Sequence, residues 1–134
     1  MRAGVAAAIL GLASCEGVPF GKVGFGELTT HGMVDVDYLE AQMAPLEPRF
    51  QACYAQALRH NHATEGTIRL SLRGGQSKLI PSVMEDDTKD PGLPRCVTDA
   101  IAGLSLVQRE GTPPRAFTAE WSVRFEILKP TSKN

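Results

Sequence analysis

The chain has 134 residues, 43% of them apolar and 22% charged, which are the proportions of one ordinary globular domain. Its 14 basic and 15 acidic residues give a formal net charge of −1, and the basic residues form no cluster along the chain. Nucleic-acid binding therefore has no electrostatic support. No apolar run reaches the ~20 residues that a transmembrane helix needs, so attachment to a membrane would require an anchor other than such a helix.

The first segment has the pattern of an export signal. Arg2 gives it a positive start, and residues 3–12 form an uncharged apolar run. The tetrapeptide LASC at residues 12–15 resembles the bacterial lipobox, which implies cleavage before Cys15 and a diacylglycerol on its thiol. The alternative is a buried N-terminal helix or strand. Glu16 follows the cysteine, where retention in the inner membrane is usually associated with Asp, so we expect the outer membrane, with the domain facing the periplasm.

The chain divides into four parts. Residues 1–14 are the lipoprotein signal peptide in this interpretation, and the glycine-rich residues 15–34 are expected to be a tether with one short strand near residues 26–33. The folded domain is predicted to cover residues 35–128, and residues 129–134 form a C-terminal tail. The exported chain would thus be one small domain on a short tether.

Apolar residues at a spacing of three and four predict helices in the first half of the domain. Pro45 and Pro48 interrupt this pattern. Because proline is tolerated only in the first turn of a helix, we predict one helix over residues 35–44 and a second over residues 46–60. The second helix would bury Cys53 on its apolar stripe.

An alternating pattern then predicts a β-hairpin. Apolar and polar residues alternate over residues 67–73, which is typical of a strand with one buried face, and Gly74-Gly75 marks a turn. The return strand covers residues 77–84 and contains Pro81. Since proline cannot donate a hydrogen bond to a neighbouring strand, this strand should lie at an edge of the sheet.

The last two elements are a helix and a strand. Asp90 can cap a helix that has Pro91 in its first turn and ends near Gly103. The inner face of this helix would include Cys96. Residues 117–127 then give the clearest alternation in the chain, which predicts a long final strand.

These elements predict an α+β fold in the form of a two-layer sandwich. Three half-apolar strands form an antiparallel sheet, and two amphipathic helices cover its apolar face. The final strand should pair beside the first strand of the hairpin, which gives the order 2-1-3 with the final strand at an edge.

The cysteines offer a crosslink. If Cys15 is lipidated, Cys53 and Cys96 remain as a pair, 43 positions apart, and an exported chain meets an oxidising compartment where such pairs form disulfides. The chain-entropy estimate for a loop of this length is about 4 kcal/mol. The alternative is two buried free thiols, as in many cytosolic proteins.

The sequence CYAQAL, the strand EGTIRLSL, the GG turn, a helix beginning near RCV and the closing aromatic strand resemble the TonB C-terminal-like domain, and most closely the AgmX/PglI-type C-terminal domain of gliding bacteria. The similarity covers residues 36–128. The matching positions are Cys53, Tyr54, Ala57, Leu58, Gly66, Cys96 and Val97. TonB-like domains usually end a long periplasmic linker, whereas this chain has a short tether. The resemblance implies a protein-binding domain of the cell envelope.

Two non-catalytic functions fit this interpretation. In the first, a partner envelope protein adds an extended segment to the last strand by β-augmentation. The polar side chains that would select the partner are Thr118, Glu120, Ser122, Arg124 and Glu126. The alternative arrangement is that the stretch around residues 26–33 covers this edge. In the second, the protein is a structural subunit of a motility or secretion assembly in the envelope.

An enzyme, such as a small hydrolase, is the weaker alternative. The sequence His60-Asn61-His62 falls at a predicted helix end, where cationic side chains suit the helix dipole. The triplet EDD at residues 85–87 lacks the spacing and the glycine of a calcium loop. We therefore expect no catalytic residues, metal, cofactor or small-molecule substrate.

Overall fold

The computed structural model describes residues 17–32, 34–75, 78–106 and 116–128. The predicted signal peptide, the lipidation site Cys15 and the C-terminal tail lie outside the described residues. The elements in chain order are β1 Phe20–Gly32, α1 Val36–Met43, α2 Leu46–His60, β2 Gly66–Gly75, β3 Lys78–Asp86, α3 Gly92–Ala102 and β4 Phe117–Leu128.

The fold is α+β, as predicted, with one antiparallel sheet in the order β1-β4-β2-β3. The three predicted strands keep the predicted arrangement, since β2 lies between β3 and β4. The prediction of three strands is wrong, because the segment assigned to the tether forms a fourth strand, β1, of 13 residues. This strand pairs along β4 from Phe20 opposite Leu128 to Gly32 opposite Phe117.

The glycines of β1 hid its alternating pattern. Its buried residues Val23 and Leu28 face the helices, but Gly21, Gly24 and Gly26 stand where further side chains would have marked the period. Gly21 has a packing reason, since a Cβ at this position would overlap the Tyr54 ring.

Capping and proline placement fix the helices much as the sequence predicts. Helix α1 begins after Asp35, whose carboxylate accepts a hydrogen bond from the Asp37 N–H at 3.2 Å. Helix α2 carries Pro48 in its first turn, and the Asp90 carboxylate accepts from the Gly92 N–H at 2.9 Å at the start of α3.

One hydrophobic core lies between the helices and one face of the sheet. Its buried side chains alternate along β2 and β4 and recur along the inner stripes of the helices. The largest fully buried residues include Tyr54, Phe50 and Phe125. The opposite face of the sheet carries the polar residues of β2 and β4, so one face of the sheet is left open to solvent.

Candidate functional site: the edges and open face of the sheet

Strand β4 is an interior strand. It pairs with β1 on one side and with β2 on the other, so its main-chain groups have neighbouring strands on both sides. The prediction that the last strand offers an open edge for a partner is therefore wrong, and the alternative, in which the N-terminal segment covers that edge, is correct. The reason is that the glycine-rich segment of residues 20–32 is extended enough to pair along the whole of β4.

The five residues predicted to select a partner alternate on the open face of the sheet. Glu120 accepts from Arg69 of β2 at 3.4 Å, and Arg69 also pairs with Glu85 of β3 at 3.1 Å. Arg124 and Glu126 pair with each other at 3.2 Å. Since all these side chains are at least 40% exposed, each pair stabilises the fold by only about 0–1 kcal/mol. Thr118 and Ser122 complete this row.

A glutamine side chain covers part of the outer edge of β1. The Gln51 Oε1 accepts a hydrogen bond from the Val23 N–H at 2.9 Å, and the Gln51 Nε2 donates to the Gly21 carbonyl at 3.1 Å. The amide thus replaces one residue of a neighbouring strand. A register shift between Phe25 and Leu28 further interrupts the edge. Both features are ways in which proteins prevent an edge strand from pairing with another chain.

Strand β3 forms the other edge, and apolar side chains are exposed along it. Ile80, Val83 and Met84 are 55%, 42% and 45% exposed. Pro81 lies at this edge as predicted. Ser105 bridges to Lys78 at the start of the strand, so the open stretch covers residues 80–86.

The position of Pro81 shows to which side of β3 the main-chain N–H and C=O groups point. A proline within a sheet is accommodated where its nitrogen faces away from the neighbouring strand. Alternate residues of a strand direct their N–H and C=O groups to the same side. We infer that Val83 directs its N–H and C=O outward, while Pro81 offers only a C=O. The edge of β3 therefore keeps one donor and two acceptors over its apolar stretch.

A disulfide bond joins Cys53 of α2 to Cys96 of α3, with a Cα–Cα distance of 5.8 Å, which confirms the predicted pair. Cys53 is buried and Cys96 is half-buried in the groove between the two helices. The bond ties the helix that supplies Gln51 to β1 to the helix that packs against β3. It therefore holds the helical layer together above both halves of the sheet.

Tyr54, adjacent to this disulfide in sequence, is fully buried. Its hydroxyl donates to the Thr64 carbonyl at 2.7 Å, and its ring meets the Phe125 ring edge-on at a centroid distance of 5.1 Å. Burial raises the pKa of Tyr54 to about 12, with smaller contributions from the carboxylates of Glu65 and Glu126. The hydroxyl has a structural partner, which accounts for its burial.

The candidate catalytic and calcium residues are held in local contacts. The His60 Nδ1 lies 3.0 Å from the Gln56 carbonyl, one helical turn earlier. Asp86 accepts from Thr88, and Asp87 accepts from the Thr67 N–H. Within the described residues, no three His, Cys, Asp or Glu side chains are grouped as metal ligands would be.

Close packing around Asp87 also requires a glycine. Gly66 has a φ of +149°, and a Cβ there would overlap the Asp87 carboxylate. The resemblance identified this glycine, whereas Gln51 carried no signal in the sequence, since a half-buried polar residue on a helix resembles any solvated position.

Comparison with known proteins found no matching protein-family model, no matching curated protein and no matching solved structure. Among the helices of residues 17–32, 34–75, 78–106 and 116–128, none is long and apolar enough to cross a membrane.

Proposed function

We propose that this protein is a non-catalytic, lipid-anchored protein-binding module of the bacterial cell envelope, and that its partner adds an extended segment to the outer edge of β3. The observation that carries the proposal is the contrast between the two edges of the sheet. Both edges expose apolar side chains, Phe20 and Phe25 on β1 and Ile80, Val83 and Met84 on β3. The difference is that Gln51 occupies outward main-chain groups of β1, whereas the outward groups of β3 stay available to a partner strand.

The β3 edge suits one extended segment of a partner protein. An added strand would hydrogen-bond to Val83 and to the Pro81 carbonyl, and its own side chains would cover Ile80 and Met84. Burial of apolar surface stabilises such a contact by about 25 cal/mol for each Å² removed from water. Pro81 removes one donor, so the apolar side chains would contribute a larger share of the affinity than in an unbroken edge.

The cellular location is part of the same proposal. A disulfide in a small domain is typical of oxidising compartments, and the residues 1–15 have the pattern of a lipoprotein leader. The resemblance to TonB C-terminal-like domains also supports an envelope protein that binds another protein. We propose the outer membrane, with the domain in the periplasm.

Site-specific photo-crosslinking in bacterial cells tests the binding edge. A photoreactive amino acid at Met84 should give a discrete adduct with one envelope protein, and the matched position Glu27, exposed on β1, should give none. The variant V83P removes the outward donor and should abolish the Met84 adduct while the protein stays folded. Adducts from Glu27 instead of Met84, or a Met84 adduct that survives V83P, would contradict strand addition at β3.

Intact mass measurement tests the location separately. Protein made in a bacterial host with its own leader, alkylated without reduction, should begin at Cys15, carry the added mass of acyl groups and take up no alkylating agent. A full-length chain with three alkylated cysteines would exclude both the lipid anchor and the oxidising compartment.

A further inference from the structure

We infer that the open face of the sheet carries a carboxylate-binding site at the hairpin end, formed by Arg73, Lys78 and His31, which receives an acidic peptide segment of the partner. This inference rests on the proposed function, because it specifies the chemistry of the segment that lies beside β3.

The pairing register places the three side chains together. His31 lies opposite Thr118, Thr118 opposite Arg73, and Arg73 opposite Ile80, so one row crosses all four strands. Neighbouring strands are about 4.8 Å apart, which sets His31 and Arg73 about 10 Å apart on either side of Thr118. Lys78 is two residues from Ile80 and therefore points to the same face. All three residues line one depression at this end of the sheet.

The charges on this face are unevenly distributed. The other two arginines of the face, Arg69 and Arg124, both pair with glutamates. Arg73 and Lys78 have no ion pair within the described part of the chain. Arg73 and Lys78 therefore form a group of unpaired cations at the hairpin end, where an incoming carboxylate can bind both. Lys22, a further exposed cation of this face, lies opposite Glu126 at the other end of the sheet.

The shape and lining of the site also fit a peptide. A depression of about 920 Å³ lies over this end of the sheet, and none of the described residues that line it is acidic. Gly74 and Gly75 add no side chains to its lining, and the exposed Ile80 gives it an apolar part. A carboxylate next to an apolar side chain would fill both parts. Ile80 belongs to the exposed stretch of β3 as well, so the site is continuous with the proposed binding edge.

The test uses N-acetyl-leucine, which combines one carboxylate with one apolar side chain, and nuclear magnetic resonance of the folded protein. N-acetyl-leucine should produce saturable shifts of the Arg73 Nε–H and the Gly74 amide, and the neutral N-acetyl-leucinamide should not. R73Q should weaken binding by about fivefold, and R124Q, a matched loss of one exposed arginine, should leave it unchanged. R73E should abolish it.

Three results would overturn the inference. The first is that N-acetyl-leucinamide produces shifts of equal size, and the second is that R73Q binds N-acetyl-leucine as tightly as the natural protein does. The third is that inorganic phosphate binds as tightly as N-acetyl-leucine, which would indicate a plain anion site. The readout does not involve the Val83 amide, so failure here leaves strand addition at β3 standing. A missing Met84 crosslink together with N-acetyl-leucine binding would instead remove the β3 edge and keep the carboxylate site.

Discussion

The two edges of the sheet show two ways of handling an unpaired strand. On β1, one side-chain amide occupies both a donor and an acceptor of the main chain, at Val23 and Gly21. On β3, Pro81 removes a single donor and leaves the carbonyls and the apolar side chains exposed. Main-chain groups that a side chain already occupies cannot pair with a partner, whereas a strand that lacks only one donor can still pair with a suitable segment. Part of the β1 edge is thus blocked by the protein's own Gln51, whereas the apolar stretch of β3 keeps a donor and carbonyls directed outward.

Proline substitutions should distinguish interior from edge most strongly. V123P removes a main-chain donor and a fully buried side chain from β4, which has a paired strand on each side, so we expect a loss of about 4 kcal/mol or more in the free energy of unfolding. V83P, on the outward side of β3, should cost about 1 kcal/mol or less. Urea titration of both variants measures the difference. Equal losses would mean that the Val83 N–H is bonded within the sheet.

Loss of the disulfide should weaken the helical layer that serves both edges. The double variant C53A/C96A should lose about 3 kcal/mol of unfolding free energy. Reduced natural protein should show a similar loss, which provides the matched control for the alanine side chains. A double variant as stable as the oxidised protein would show that packing alone holds α2 against α3.

Tyr54 makes the stability of the region beside β1 depend on pH. Its folded-state pKa of about 12 lies above the ordinary value of 10.0, so its contribution to stability is complete below pH 10 and is lost as the pH rises through 12. Between pH 9 and pH 12 the natural protein should lose about 2 kcal/mol more than Y54F. Unfolding curves at several pH values measure this difference. Parallel pH profiles for the two proteins would contradict the assigned shift.

Removing the amide that covers β1 should have the smallest effect on stability and a clear effect on association. Q51A leaves the Val23 N–H and the Gly21 carbonyl without partners, which we expect to cost about 1 kcal/mol. The opened edge should also promote self-association, visible by analytical ultracentrifugation. Q56A, an exposed glutamine on the same helix, is the control and should change neither property. A monomeric Q51A with unchanged stability would show that Gln51 does not protect the outer edge of β1.

Much of the fold follows from regular patterns in the sequence. The helix around Cys53, the hairpin with Pro81 at an edge and the long final strand all have strong periodicity or a proline whose chemistry allows few positions. The pairing of Cys53 with Cys96 follows from both lying on inward helix stripes over one sheet face.

The candidate site is harder to predict from the sequence than the fold, for two physical reasons. Glycines carry no side chain to mark a strand period, so the sequence predicts only a short strand in this segment and leaves β4 with an open edge. The hydrogen bond between Gln51 and Val23 joins residues 28 positions apart in the chain, and no local sequence pattern predicts it. Because β1 covers β4, the proposed binding surface is the edge of β3 and not the last strand.

Amide hydrogen exchange on the isolated protein tests the difference between the edges most directly. The Val23 amide, bonded to Gln51, should be protected, and Q51A should remove this protection. The Val83 amide, directed outward from β3, should exchange close to the rate of an unstructured peptide. A Val83 amide as protected as that of Val23 would show that the β3 edge is already occupied, and would contradict its availability to a partner.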